Sequence, residues 1–538
     1  MKTRSVLRST TRDFAGAVEG FRQESSGSMT MFSLFMFVCM ILIGGIAVDV
    51  MRFENVRAKM QNTMDRAVLA AADLDQTENP KVVVQDYLAK VGISIDQDDV
   101  IVTQSGSYPV ITGRSVTANA TIPMGTMFMH LFGVDELPAP AGSTAAEAIN
   151  DIEISLVLDV SGSMGSPASK LQNMQDAAKD FATEIFDGAE PGRISLSVVP
   201  YSTQVSVGET LLNQWPATAE QTYSSCVDFE TTDFNSTSIS ASGTDPLQRT
   251  GHFDPWASWN WAPDPVYRVC RTDAAFSIQP WSQSVPDIHN QIDGFFASGN
   301  TSIDVAVKWG TALLDPGSQS ALNGMIAAGD VDAEFAGRPF AYDRDDTLKF
   351  LVVMTDGINT TQYMLDNAVK AGPSPYWRDP DDGDVSYGTN WNATLGEFED
   401  YWYQDGRFWD TEPDGGSNDN DYRMDWPEVF ARYSQRWLSY QLHYTQNWDA
   451  NDYYDTYYSM IDWVNASTKD ARLNSICTKA KNEDVIIFAV GFEVTDYSAS
   501  VMENCASTPN HFYRVEGLDI KYAFASIANQ INQLKLTQ

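Results

Sequence analysis

The stretch EISLVLDVSGSMGS, Glu153 to Ser166, decides how the rest of the chain is read. An apolar run, Ile154 to Leu158, stops at Asp159, and Ser161 and Ser163 follow at alternate positions. A short run that is apolar on both sides reads as a strand buried on both faces. Similar strands recur in RISLSVVPYS, LKFLVVMTDG and VIIFAVGFE. Between and after them lie amphipathic stretches such as KLQNMQDAAKDFATEIF, TSIDVAVKWGTALL, LNSICTKAKNE and LDIKYAFASIANQINQLK. This alternation predicts an α/β domain over residues 151–538, a doubly wound parallel sheet covered by helices on both faces. Two insertions are expected at about 207–290 and 359–468, each after a strand end on the carboxyl edge of the sheet, where loops carry binding function.

In open α/β sheets ligands collect beyond the carboxyl ends of the strands, where the winding reverses. Asp159 ends the first strand of the domain, Asp356 in FLVVMTDGIN ends a later one, and Thr301 in SGNTSIDVAVKWG opens a helix after a glycine-containing loop. Once the chain leaves the strand, alternate side chains of DVSGS can turn toward one point, presenting a carboxylate and two hydroxyls. Such hard oxygen donors suit Mg²⁺, with Mn²⁺ or Ca²⁺ as alternatives. The expected metal set is Asp159, Ser161, Ser163, Thr301 and Asp356. The competing reading is that the three hydroxyl residues cap neighbouring helices.

These residues resemble the metal-ion-dependent adhesion site of von Willebrand factor A domains, with DVSGSM, Thr301 and TDG standing for its three motifs. The resemblance implies that Ser161, Ser163 and Thr301 bind the metal directly and that Asp159 and Asp356 lie beside it, directly or through water. It also implies an open position that takes an acidic side chain from a protein ligand.

Met29 to Val48, MTMFSLFMFVCMILIGGIAV, carries no charge over a length that spans roughly 30 Å of hydrocarbon as a helix. Residues 29–51 are therefore expected to cross a membrane. Lys2, Arg4, Arg8, Arg12 and Arg22 outnumber Asp13, Glu19 and Glu24, which places residues 1–28 in the cytoplasm and the bulk of the chain on the other side. A cleaved signal peptide is the rival reading. Helical character continues through RFENVRAKMQNTMDRAVLAAADL, with Val56, Met60, Met64, Val68 and Ala71 near one face. Residues 52–150 thus read as a pilin-like stalk helix with a small α+β module: a helix near PKVVVQDYLAKVG, strands near DVIVTQ and SVTANATI, and ELPAPAGSTAAEA as a linker.

The segment from Gly27 to about residue 75 resembles the N-terminal module of TadE/TadG-type Flp-pilus assembly proteins, most specifically in KMQNTMDRAVLAAA. That resemblance implies a single-pass protein of the bacterial inner membrane with its bulk in the periplasm, taking part in pilus assembly or secretion with pilin or assembly proteins as partners. A structural minor pilin, or a surface adhesin exported with the fibre, is the alternative. A metal-dependent hydrolase is a further one, disfavoured because no His or Glu sits near the three motifs as a general base.

The formal net charge of -37 excludes nucleic acid as a natural partner. Cys226, Cys270, Cys477 and Cys505 fall on the far side of the membrane and Cys39 within the apolar segment. Order along the chain favours Cys226–Cys270 and Cys477–Cys505, although four cysteines allow three pairings. In the second insertion DTEPDGGSNDND, residues 410–421, places Asp410, Glu412, Asp414, Gly415 and Asp421 at EF-hand-like positions for a second Ca²⁺. Pro413 and Ser417 depart from that pattern, and a solvated acidic turn is the alternative. The aromatic density of the same insertion suits either a recognition surface or a core of its own.

Overall fold

The computed structural model describes residues 27–74, 76–107, 110–257, 263–344, 346–381, 383–392, 397–402, 406–409, 420 and 422–537. They divide into two compact units, one up to residue 149 together with Thr537, the other over 150–536.

In the first unit a single helix, α1, runs from Gly27 to Ala72. Its N-terminal half is long and apolar enough to cross a membrane. Its C-terminal half buries Met60, Met64, Ala67, Val68 and Ala71 against α2 (Pro80–Ala89) and an antiparallel meander of β1 (Val100–Ser107), β2 (Val110–Gly125) and β3 (Glu136–Ile149). Of the expected stripe only Val56 is not fully buried. That face of the stalk is therefore covered by the chain's own small module. ELPAPAGSTAAEA is not a linker: it forms β3, paired with β2 from Gly125↔Glu136 to Gly113↔Ala148. Ala139 and Ala141 carry its buried face while Pro138 and Pro140 point outward. Alanine makes the two-residue alternation invisible to hydropathy, and the prolines read as breakers.

The second unit contains β4 (Asp151–Asp159), α3 (Ala168–Phe186), β5 (Ile194–Tyr201), β6 (Gln279–Ser282), α4 (Val285–Asp293), α5 (Ile303–Ala312), β7 (Thr347–Thr355), α6 (Ala466–Asn482), β8 (Ile486–Phe492), α7 (Asp496–Cys505), β9 (Phe512–Val515) and α8 (Asp519–Lys535). The sheet order is β9–β8–β7–β4–β5–β6, parallel throughout except for β6, which runs antiparallel to β5. The doubly wound α/β expectation holds. Every residue of β4 is buried, as a strand covered on both faces requires. Val157, Val199, Leu351 and Ile487 face Val305 and Trp309 of α5, Leu473 and Ile476 of α6 and Met502 of α7. Ile154, Leu156, Phe350 and Phe488 face Met174 and Phe181 of α3, Ile288 of α4 and Phe524 and Ile527 of α8. The winding turns back between β4 and β7, so their carboxyl ends flank the crevice at which such sheets bind ligands.

Residues 279–290, placed by the sequence reading at the end of the first insertion, belong to this framework, in β6 and most of α4. The two insertions share one hydrophobic core, in which Phe253 and Val269 from the first pack with Leu365, Tyr376, Phe430 and Leu438 from the second. Cys226 bonds to Cys270 within the first insertion, and Cys477 bonds to Cys505, joining α6 to α7. The second insertion is closed at its neck by antiparallel pairing of residues 362–365 with 461–464.

Helix α5 lies close to the sheet at Gly310, where an added Cβ would stand 2.8 Å from both Leu351 Cδ1 and Val157 Cγ2. Gly310→Val is expected to destabilise the protein by about 1–3 kcal/mol through overpacking, read as a lower urea midpoint.

Candidate functional site

The register of the central pair aligns Leu158 with Met354, so Asp159 at the end of β4 lies beside Thr355, and Asp356 follows one residue further on. The Asp159 carboxylate is fully buried. Its Oδ1 accepts the Ser161 N–H at 2.8 Å. Its Oδ2 accepts the Thr355 hydroxyl at 2.8 Å and lies 3.3 Å from the Tyr201 hydroxyl, which is shared with the Met354 carbonyl. One side chain thereby holds the ends of β4, β5 and β7 together. Beyond it, Ser163 donates to Asp356 Oδ1 at 2.6 Å, and the Ser161 and Ser163 hydroxyl oxygens are 3.1 Å apart. Because Ser163 uses its proton on Asp356, Ser161 is the donor of that second bond. Three of the five expected residues, Ser161, Ser163 and Asp356, thus form one chain of oxygens, and a fourth, Asp159, is joined to it through the Ser161 backbone N–H.

Glycine lets a second loop approach this chain. Gly162 N–H donates to the Gly299 carbonyl at 2.9 Å, and a Cβ on Gly162 would stand 3.2 Å from that same oxygen. Gly299 itself has φ +86°, and a side chain there would meet Thr203 Oγ1 at 2.8 Å. Thr301, two residues on, is buried and held by its backbone: its N–H donates to Thr360 Oγ1 and its carbonyl accepts from Lys469 Nζ at 2.7 Å. Its hydroxyl takes no part in these bonds. The structure brings the Thr301 loop against the DVSGS turn without joining that hydroxyl to the oxygen chain.

Helix capping does not account for these residues. Helix α3 is preceded by Pro167, and α5 by Ser302, whose side chain makes no cap. The first amide of α5, at Ile303, instead donates to Asn359 Oδ1 at 2.8 Å.

Two lysines escaped the sequence reading. Lys170, in the first turn of α3, places Nζ 2.8 Å from Asp356 Oδ2 and 3.5 Å from Glu493 Oε2, linking the ends of β7 and β8. Lys469, fully buried, donates to the Thr301 and Thr360 carbonyls and to Ser302 Oγ. Lys170 looks like any polar residue of an amphipathic helix, and Lys469 lies across a long insertion from its partners. Thr355, fully buried, is foreseeable from the sequence, since it precedes Asp356 on a strand predicted to adjoin that of Asp159.

Burial, and secondarily the negative charge of Asp356, push the Asp159 carboxyl up to about 6 against the opposing hydrogen bonds from Ser161 and Thr355. Burial likewise lowers Lys469 to about 8, opposed by the Asp304 carboxylate. Among the described residues no group of three or more His, Cys, Asp or Glu is placed to share a metal ion. A cation at the strand ends would therefore depend on hydroxyl oxygens as well as carboxylates. Asp410, Glu412, Asp414, Gly415 and Asp421 lie outside the described residues. The aromatic residues of the second insertion divide: Tyr376, Tyr401, Phe430 and Trp437 are core, whereas Trp448, Tyr454, Tyr458 and Trp463 are exposed.

Residues 27–74 match the family model for Flp pilus-assembly TadE/G-like proteins. No curated protein matches the chain. Among solved structures, the vWF domain of the type V pili tip protein Mfa5 from Porphyromonas gingivalis is similar at 12% identity and TM-score 0.32, over 73% of this chain and 98% of that one. The pilus adhesin SpaC from Lactobacillus rhamnosus GG is similar at 12% identity and TM-score 0.30, over 80% of this chain and 34% of that one. The adhesive tip pilin GBS104 from Group B Streptococcus agalactiae is similar at 10% identity and TM-score 0.29, over 71% of this chain and 99% of that one.

The raised Asp159 value has a stability consequence in metal-free solution. The folded state retains a proton that the unfolded state releases, so this group's contribution is greatest below the ordinary carboxylate value of about 4. It declines as pH rises toward about 6. Urea midpoints measured in chelator should fall across that window, and Asp159→Asn should flatten the fall.

Proposed function

We propose that this chain is a membrane-anchored, metal-dependent protein-binding component of Flp/Tad pilus assembly that acts by adhesion and not by turnover. The observation that carries the reading is the oxygen chain Ser161–Ser163–Asp356, set at the carboxyl ends of β4 and β7. Ligand oxygens at 2.0–2.1 Å around an octahedral Mg²⁺ stand about 2.9 Å from their neighbours. The separations of 3.1 Å and 2.6 Å in this chain bracket that spacing. The donor set therefore fits Mg²⁺, with Mn²⁺ or Ca²⁺ as substitutes. Ser161, Ser163 and Asp356 would hold the ion, Asp159 would orient Ser161 through its backbone N–H, and Thr301 would contribute its hydroxyl. When bound, the ion supplies a positive field for an acidic side chain of a protein ligand. Lys170, shared between Asp356 and Glu493, offsets part of the local negative charge.

The N-terminal match supports the pilus-assembly context, α1 supports a single membrane crossing, and the basic excess ahead of it supports a cytoplasmic placement of residues 1–28. Two disulfides in the second unit fit an oxidising compartment such as the periplasm.

The full-length protein in lipid nanodiscs should take up Mg²⁺ in a calorimetric titration, with Ser161→Ala and Ser163→Ala weakening uptake by roughly 10–100-fold. Co-purification of pilus-assembly proteins should be lost in EDTA, return with Mg²⁺, and strengthen with moderate salt as long-range repulsion is screened. Co-purification unchanged by EDTA rejects the metal bridge. Retention in the inner membrane after shearing supports an assembly role, whereas recovery in sheared fibres makes the chain a minor pilin or exported adhesin.

A further inference from the structure

We propose that the loop between β2 and β3, Thr126 to Asp135, is a second membrane contact, seated in the boundary between headgroups and acyl chains beside α1. The proposal rests on the reading of α1 as a membrane anchor. The loop reads TMFMHLFGVD, an unusual composition for a turn facing water. Met127, Leu131 and Phe132 are 58%, 63% and 57% exposed and contribute nothing to the core of their unit.

The position of this loop is fixed by the helix. Phe128 packs on Gly45, where an added Cβ would stand 2.5 Å from ring atoms Cγ and Cδ1. Gly45 is four residues before Asp49, the first charge after the apolar run, so the ring lies about 6 Å inside that run at the rise of a helix. Asp49 is fully buried, and its carboxylate accepts the Met127, Phe128 and Met129 amides at 2.9, 2.7 and 2.8 Å, with Arg52 at 3.5 Å. The loop is thereby clamped to the helix at the point where the apolar segment ends.

Irregular backbone at membrane depth is tolerated only when its polar groups are paired. Beyond the three amides on Asp49, Leu131 N–H donates to Phe128 O, Gly133 N–H to His130 O and Val134 N–H to Met129 O, while Thr126 Oγ1 donates to Val134 O. Apolar side chains turned outward over a backbone whose amides are largely paired suit lipid. A bilayer is the occupant because the patch continues the outward apolar surface of α1, where Met40, Ile41 and Ile43 are exposed in the same way. Two contact points, one a crossing helix and one a shallow loop, would fix the rotation of the first unit about the membrane normal.

The test uses the full chain in phosphatidylethanolamine–phosphatidylglycerol vesicles, with an environment-sensitive NBD fluorophore on single cysteines. Leu131→Cys and, as an exposed control in the same unit, Val91→Cys are labelled in a Cys39→Ser background, and native Cys39 is labelled separately. For a residue inserted about 5–10 Å, the Leu131 label should emit to the blue of the Val91 label and lose about twofold more fluorescence to shallow nitroxide lipids. A Leu131 label that emits as in water while the Cys39 label is quenched by deep nitroxides overturns the loop proposal and leaves the anchor standing. An unquenched Cys39 label overturns the anchor, and the loop proposal with it. A blue-shifted Leu131 label that ignores lipid nitroxides and reverts on dilution of protein in the membrane assigns the patch to a protein partner and overturns the proposal.

Discussion

A carboxylate sealed from water at the end of a strand has to be satisfied by the chain around it, and Asp159 is that carboxylate. Its two oxygens draw in the Ser161 amide, the Thr355 hydroxyl and the Tyr201 hydroxyl, and through them three neighbouring strands are held at a common height. The turn that begins at Ser161 then has little freedom in where it presents its hydroxyls. Burial and the neighbouring Asp356 carboxylate raise the proton affinity of the Asp159 carboxyl, while Lys170 pairs with Asp356 alone of the two. A fold that placed Asp159 on the surface would lose both the alignment and the raised proton affinity.

The framework was legible because its strands are uniformly apolar and its helices amphipathic, and the position of the site followed from where the strands of Asp159 and Asp356 end. What hid from the sequence did so for identifiable reasons. Strand β3 carries its inward face on Ala139 and Ala141, whose small side chains leave no hydropathy signal between Pro138 and Pro140. The edge strands β6 and β9 are only four residues each, too short for periodicity to register. Lys469 reaches the Thr301 loop only because the second insertion folds back on itself, a long-range consequence that local pattern does not encode. The sharing of one core by the two insertions is of the same kind: Phe253 has no local feature that points to Phe430.

The two loops at the site are held by different means. The DVSGS turn is fixed from below by Asp159 and from the side by the approach of Gly162 to Gly299. The Thr301 loop is fixed from the opposite side by Lys469, Thr360 and Asn359, which come from the two flanks of the second insertion. The flanks of the second insertion therefore reach Thr301 directly, and reach Ser163 through Asp356, three residues before Asn359.

The neck formed by residues 362–365 and 461–464 gives the second insertion the geometry of a cassette. Its two ends leave and re-enter the framework side by side, so the sheet registers only a short antiparallel joint and not what lies beyond it. The outer body can then be exchanged for another of different size, provided that the joint, the lysine after it and the face that packs on Phe253 and Val269 of the first insertion are kept. Surface variation and a constant core are in this way separable in a single chain, as a tool head is from its handle.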